Sequence, residues 1–372
     1  MSTHGAPKSA GFASHFATGH EDLVHDVAYD FYGKRMATVS SDQTLKIFNK
    51  SSNDGDWVLF SSFRAHDATI TKVIWAPPEH GQIIATCSMD RTVKIFEEQE
   101  MEPPSSPFRW KRQYQMTPES RSAIHSISFP PTPSGGLKLA FISGDGVVQI
   151  YECREPQDLT HWISVDVLQI LPSPPSRESE VSFCLDFCPS RPGGEMLVVG
   201  AMNTATIWRA DKNGKFRAAE MLTGHHGLVR DVAWATSMGR SHHLIATACK
   251  DGHVRIYKLR HSKMEFVIKP LARGHGPVEG RRRLGAGLSE GLGGSGEVDS
   301  SPAEKMEEEE ERWEVQKIAD FDDHGCDVWK VAWNATGTVL SSVGDDGKIR
   351  LWQTAMTGEY KLMSIVNTPK SR

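Results

Sequence analysis

One unit of sequence recurs along this chain, and a repeat of its length decides the fold before any local reading is attempted. The stretch TGHEDLVHDVAYDFYGKRMATVSSDQTLKIF at 18–48 is echoed by RAHDATITKVIWAPPEHGQIIATCSMDRTVKIF at 64–96, by TGHHGLVRDVAWATSMGRSHHLIATACKDGHVRIY at 223–257 and by DDHGCDVWKVAWNATGTVLSSVGDDGKIRLW at 322–352. Two degenerate copies lie between them, SAIHSISFPPTPSGGLKLAFISGDGVVQIY at 122–151 and EVSFCLDFCPSRPGGEMLVVGAMNTATIW at 180–208. The closing aromatics Phe48, Phe96, Tyr151, Trp208, Tyr257 and Trp352 stand 48, 55, 57, 49 and 95 residues apart, so the last interval carries an insertion. The count is six copies.

Each copy reads as three short strands, such as Val27 to Tyr29, Met36 to Val39 and Leu45 to Phe48, separated by Gly, Pro or Asp turns. A fourth strand is expected at 57–63, 162–170, 313–321 and 360–366. Four antiparallel strands repeated radially describe an all-β propeller, in which each blade buries its faces on its neighbours. The expected organisation is a flexible N-terminus at 1–10, then one six-bladed propeller over 11–372 with blades at about 19–63, 64–115, 116–170, 178–221, 222–321 and 322–366.

A fixed register runs through the copies. His20, His66, His225 and His324 each stand nine residues before the aromatic that ends the first strand. Asp42, Asp90, Asp145, Asp251 and Asp346 stand six residues before the closing aromatic, where the fourth copy has Met202. The spacing predicts that His, a strand hydroxyl (Thr38, Thr86, Thr247 or Ser342), the turn Asp and the closing aromatic meet in a hydrogen-bonded chain across each blade. Buried His and Asp need such partners to offset desolvation, so the reading is structural rather than catalytic or metal-binding.

Of the 372 residues 24% are charged and the formal net charge is −5, which lacks the basic footprint of a dedicated nucleic-acid binder and points to protein partners. Six Cys, no apolar run approaching the ~18 residues of a membrane span and no signal-like start predict a chain of the cytosol or nucleus without a disulfide framework.

The stretches that look like chemistry have plainer readings. Gly291 to Gly296 fits G-x-G-x-x-G, but it lies among nine glycines in 274–296 with neither a strand before it nor a helix after it. In His20-Glu21-Asp22-Leu23-Val24-His25 the two His are five apart and do not share a helix face as a zinc motif demands. Cys184 and Cys188 lack a second Cys pair, and Asn334 to Thr336 is a glycosylation triplet without a secretory route. No catalytic residues, cofactor, metal or small-molecule substrate are expected. Residues 262–312 run from basic (Arg273, Arg281, Arg282, Arg283) through glycine-rich to acidic (Glu307 to Glu311), the composition of a disordered insertion between the third and fourth strands of the fifth blade.

The repeats resemble WD-repeat proteins over essentially the whole chain apart from 1–10 and about 262–312, although the Trp-Asp pair itself is replaced by Phe48-Asn49, Phe96-Glu97, Tyr151-Glu152, Trp208-Arg209, Tyr257-Lys258 and Trp352-Gln353. The full tetrad is expected in the last blade, where His324, Ser342, Asp346 and Trp352 are all present. More narrowly, the opening blade resembles that shared by Seh-type nucleoporins and their sisters, the Sec-thirteen-type coat proteins. RWKRQ at 109–113, GRSHHLIATACKDGHVRIY at 239–257 and WNATGTVLSSVGDDGKIRLW at 333–352 favour the Seh type.

That resemblance implies a non-enzymatic scaffold subunit of the Y-shaped nuclear pore complex, serving mRNA export and protein import, and a subunit of an amino-acid-sensing complex regulating TOR. It implies residence at the nuclear envelope and on the vacuolar or lysosomal membrane surface. It also implies an open ring into which a scaffold nucleoporin inserts a seventh blade in trans, beside other Y-complex subunits. Candidate strand edges for that partner are Phe12 and Phe16 before the first blade and Tyr360, Leu362 and Ile365 after the last. Closure of six blades on themselves is the alternative geometry. The alternative functions are a coat cage subunit of ER-to-Golgi vesicles and a peptide-reading adaptor such as a ubiquitin-ligase receptor.

Overall fold

The computed structural model describes residues 16–51, 55–103, 106–119, 122–130, 136–155, 157–189, 194–261, 313–355 and 358–367. Contacts divide the chain into two units, 1–260 with 314–372, and 261–313. The expected insertion 262–312 lies outside the described residues. Of the second unit only its two ends are described, His261 and Trp313, whose rings meet edge to face at 5.3 Å.

The first unit carries six four-stranded antiparallel sheets, each in simple up-and-down order. Sheet one holds β1 (Val24–Tyr29), β2 (Arg35–Ser40), β3 (Thr44–Lys50) and β4 (Trp57–Arg64). Sheet two holds β5 (Ile70–Trp75), β6 (Ile83–Ser88), β7 (Val93–Glu98) and β8 (Trp110–Met116). Sheet three holds β9 (Ile124–Ser128), β10 (Leu137–Ser143), β11 (Val147–Cys153) and β12 (Ile163–Gln169). Sheet four holds β13 (Phe183–Phe187), β14 (Met196–Ala201), β15 (Thr204–Ala210) and β16 (Phe216–Leu222). Sheet five holds β17 (Val229–Trp234), β18 (His243–Cys249), β19 (Val254–His261) and β20 (Trp313–Phe321), and sheet six holds β21 (Val328–Trp333), β22 (Val339–Gly344), β23 (Lys348–Thr354) and β24 (Tyr360–Asn367). This is a six-bladed β-propeller. The fourth strands of sheets two and four, β8 and β16, bury their end residues and leave their middles largely exposed, without the alternation that marks a half-buried strand.

Each blade from the second to the fifth buries one face on the blade before it and the other on the blade after it. Val39, Leu45 and Ile47 of sheet one meet Ile70, Val73 and Ile84 of sheet two, and Ala85, Val93 and Ile95 on the far face of sheet two meet Ile124, Ile127 and Leu137 of sheet three. Inner strand packs on inner strand in the series β1, β5, β9, β13, β17 and β21. The pair that would close the series, β21 with β1, lacks that packing.

A register shift after the first residue of β1, β5, β17 and β21 marks a β-bulge. A bulge re-aims the side chain that follows it. Here the re-aimed residues Asp26, Lys72, Asp231 and Lys330 line a central cavity of about 260 Å³ together with Ser126 and Cys184 of the other two blades.

Candidate docking seam

The His–Asp register builds the cross-blade chain in three blades. His20 Nδ1 lies 2.8 Å from Asp42 Oδ2 and its Nε2 lies 2.8 Å from Thr38 Oγ1, and His66 repeats both contacts at 2.8 Å with Asp90 and Thr86. In sheet six His324 meets Asp346 at 3.2 Å and Ser342 at 2.9 Å, and Trp352 donates its indole N–H to Ser342 Oγ at 2.9 Å. In sheet five the closing Tyr257 Oη lies 3.5 Å from His225 Nε2 and donates to the Thr223 carbonyl at 2.7 Å.

The other three blades depart from the pattern, and in sheet three Asp145 accepts from Ser143 Oγ where the regular blades use a His. In sheet five His225 Nε2 reaches Thr247 at 2.9 Å, but Asp251 is held by the Arg255 guanidinium at 2.8 Å. In sheet four the turn from β14 to β15 spans two residues, Met202 and Asn203, where sheet one uses three between Ser40 and Thr44, so no turn Asp has a place there. Met202 takes a positive φ of 55° in that tight turn.

These networks set ionisation in the direction of scaffolding. Burial raises the carboxyls of Asp42 and Asp90, yet hydrogen bonds from Thr44, Thr92 and the paired His outweigh it and hold both well below the usual range. Burial pushes His66 and His324 down and brings His225 to about 4, so the imidazoles stay neutral near pH 7. Among the described residues no cluster of His, Cys, Asp and Glu suits a metal ion. Cys184 and Cys188 are both buried, Cys184 against the carbonyls of Gly200 and Val229, and Cys188 3.5 Å from His243 Nδ1.

What distinguishes this propeller lies between sheets six and one. Val27 is 42% exposed, whereas its counterparts Val73, Ile127, Leu185, Val232 and Val331 are at most 3% exposed. Val24 is 45% exposed where Ile70, Ile124, Val229 and Val328 are fully buried. On the opposite wall Val343 is 36% exposed, against 0% for Val39, Cys87, Ile142 and Ala248. Ile349 and Leu351 beside it are half-buried, while Leu45 and Ile47 at the same positions of sheet one are inaccessible. Two blade faces built of core residues thus stand without the neighbour that every other such face has. Large uncovered apolar faces on a soluble scaffold mark docking sites.

Phe16 sits at the rim of this seam. It packs edge to face on Phe48 at 5.4 Å, as Phe63 of β4 packs on Phe96 at 5.2 Å. In sheet two that ring comes from the outer strand of the preceding blade, so Phe16 stands where an outer strand of a blade before the first would end.

Comparison with known proteins fits this architecture. The repeat family described as "WD domain, G-beta repeat" matches residues 13–49, 51–97, 217–258 and 315–353, the four regular copies. Nucleoporin SEH1 of Saccharomyces cerevisiae is 40% identical over 351 residues, covering 94% of this chain and 98% of that protein. Nucleoporin seh1 of Schizosaccharomyces pombe is 39% identical over 358 residues, covering 96% and 97%, and human Nucleoporin SEH1 is 33% identical over 372, covering 95% and 88%. The chain belongs to the SEH1 family of nucleoporins.

In this SEH1-family chain the sequence-predicted edge residues and the seam coincide only in part. Phe12 lies outside the described residues. Tyr360 is a buried anchor, edge to face with Trp333 at 6.1 Å. Leu362 pairs with Trp352 and Ile365 with Arg350, which puts both on the sheet face turned toward the fifth blade rather than on the seam wall. Among the described residues the outer strand of every sheet pairs on one side alone. The missing neighbour shows on the faces, at Val24, Val27 and Val343, and the signal that could have found them is their core-like identity in terminal copies of the repeat.

Proposed function

We propose that this chain is a structural subunit of the nuclear pore scaffold, and that it docks there by accepting a strand-rich segment of another scaffold nucleoporin between sheets six and one as a seventh blade. The observation that carries the reading is the pair of uncovered core faces, Val24 and Val27 on one wall and Val343 on the other. A blade inserted there would bury apolar area on both sides, an interface of about 1,600 Å² or more. Docking by strands and packed faces asks nothing of catalysis, and the family's printed name, nucleoporin, describes a pore component. Residence at the nuclear envelope follows from that name. A place beside other Y-complex subunits, and a second engagement with an amino-acid-sensing complex on the vacuolar or lysosomal surface, belong to the same reading and would use the same seam.

The test is affinity purification of the tagged chain followed by mass spectrometry. Nuclear pore scaffold proteins are expected with the native chain and should be lost with Val27→Asp and Val343→Asp together. Recovery of vesicle-coat or ubiquitin-ligase components in their place would refute the assignment.

A further inference from the structure

One residue of each inner strand at a common register, six in all, lines the central cavity, and these alternate in kind around the ring. Sheets one, three and five carry acceptors, Asp26, Ser126 and Asp231. Each takes a backbone N–H from the blade that follows: Val73 N donates to Asp26 Oδ2 at 3.1 Å, Leu185 N to Ser126 Oγ at 3.3 Å, and Val331 N to Asp231 Oδ2 at 3.2 Å. Sheets two, four and six carry donors, Lys72, Cys184 and Lys330. Lys72 Nζ donates to Ser126 Oγ at 3.0 Å, Cys184 Sγ lies 3.8 Å from the Val229 carbonyl, and Lys330 Nζ donates to Asp26 Oδ1.

The last of these contacts crosses the seam. It ties β21 to β1 at the axis, although the faces farther out stay uncovered. A blade entering between them separates Lys330 from Asp26. Asp26 keeps its bond from the Val73 N–H, but the Lys330 ammonium needs a new acceptor, because a cation drawn into a blade interface without one is costly. On the other wall no side chain among the described residues accepts from the Val27 N–H, the group that Asp26, Ser126 and Asp231 satisfy in their own following blades.

We propose that the segment filling the seam is an acceptor-type blade, with Asp or a hydroxyl residue at this register of its inner strand, and that the Lys330–Asp26 pair holds the vacant seam together at the axis until that blade arrives. The inference rests on completion of the ring in trans. One acceptor then serves both walls, as Ser126 already serves Lys72 on one side and Leu185 on the other. A Lys at the same register would set two ammonium groups against each other.

The experiment tethers a copy of residues 19–64 after residue 367 and follows amide hydrogen exchange in β1 and β21. A copy retaining its Asp26 should slow exchange in both strands by roughly tenfold, and a copy carrying Asp26→Lys should not. On a host with Lys330→Asp, the Lys-bearing copy should regain protection. Equal protection by both copies on the native host would overturn the register rule. So would failure of every copy while β1 and β21 of the untethered chain exchange fast. If instead the untethered chain protects β1 and β21 as well as β9, the ring is closed by itself and the underlying docking reading falls.

Discussion

At the residue scale, the same carboxylate plays opposite parts according to its partners. Asp346 accepts from Arg350 and lies 3.2 Å from His324 Nδ1, which also meets the Arg350 guanidinium at 2.7 Å, and Arg350 is itself buried. Asp346→Ala leaves a guanidinium and an imidazole short of a partner, and is expected to cost on the order of 1–3 kcal/mol, read as a fall in the urea midpoint. Asp145 has only Ser143 and a turn N–H to hold, so Asp145→Ala should cost less. Asp186 is the reverse case: half-buried in the fourth blade, its carboxyl is pushed up to about 6 by desolvation, against the Lys72 charge and the bonds it accepts from Trp234 N and Ser128 Oγ. A raised folded pKa makes the native state bind the proton more tightly, so Asp186 stabilises least at high pH, and stability is lost as pH rises from about 4 to about 6. Asp186→Asn should therefore gain relative to the native chain across that window, by up to about 3 kcal/mol, and hold the gain above it. Denaturation at pH 5 and pH 8 checks this; a difference that does not grow with pH would contradict it.

At the element scale, position around the ring decides what a substitution does. Val73 and Val27 occupy one register of the repeat, but only Val73 has a blade packed on it. Val73→Asp buries a charge in a packed face and should unfold the chain or cost more than about 3 kcal/mol. Val27→Asp, with its side chain already in solvent, should stay within roughly 0.5 kcal/mol of the native chain while abolishing partner recovery. The repeat register was legible in the sequence because hydrogen-bond geometry enforces its spacing: His20, Asp42 and their counterparts cannot drift without losing the contact. Three things were not legible. Arg255 holds Asp251 in sheet five, whereas Arg350 at the same position of sheet six leaves the His324–Asp346 contact in place, so the identity of that cation does not reveal the wiring. The β14–β15 turn loses a residue, which a spacing count registers only as a missing Asp. The exposed seam is invisible to periodicity, since Val24, Val27 and Val343 read as ordinary core residues and are exposed only because no blade packs on them among the described residues.

At the scale of the whole molecule, residues 262–312 are expected to be dispensable for folding. Residues 262–312 connect β19 and β20, neighbours in one sheet whose ends are joined by an Arg260–Glu314 ion pair at 2.7 Å. Long loops add little to the cost of closing a pair already held by its sheet. Replacing 262–312 with a short Gly-Ser linker should leave the melting temperature within about two degrees of the native chain, and a loss of several degrees would show that the segment packs on the blades. The seam is the other discontinuity, a six-bladed ring whose first and last blades leave core faces exposed, and the proposed partner would cover them. Structure determination of the chain in its native nuclear pore assembly measures this directly. A strand-rich sheet of another polypeptide is predicted between β1 and β21, covering Val24, Val27 and Val343. A native assembly in which sheet six packs on sheet one, or in which those three residues remain in solvent, would contradict the account.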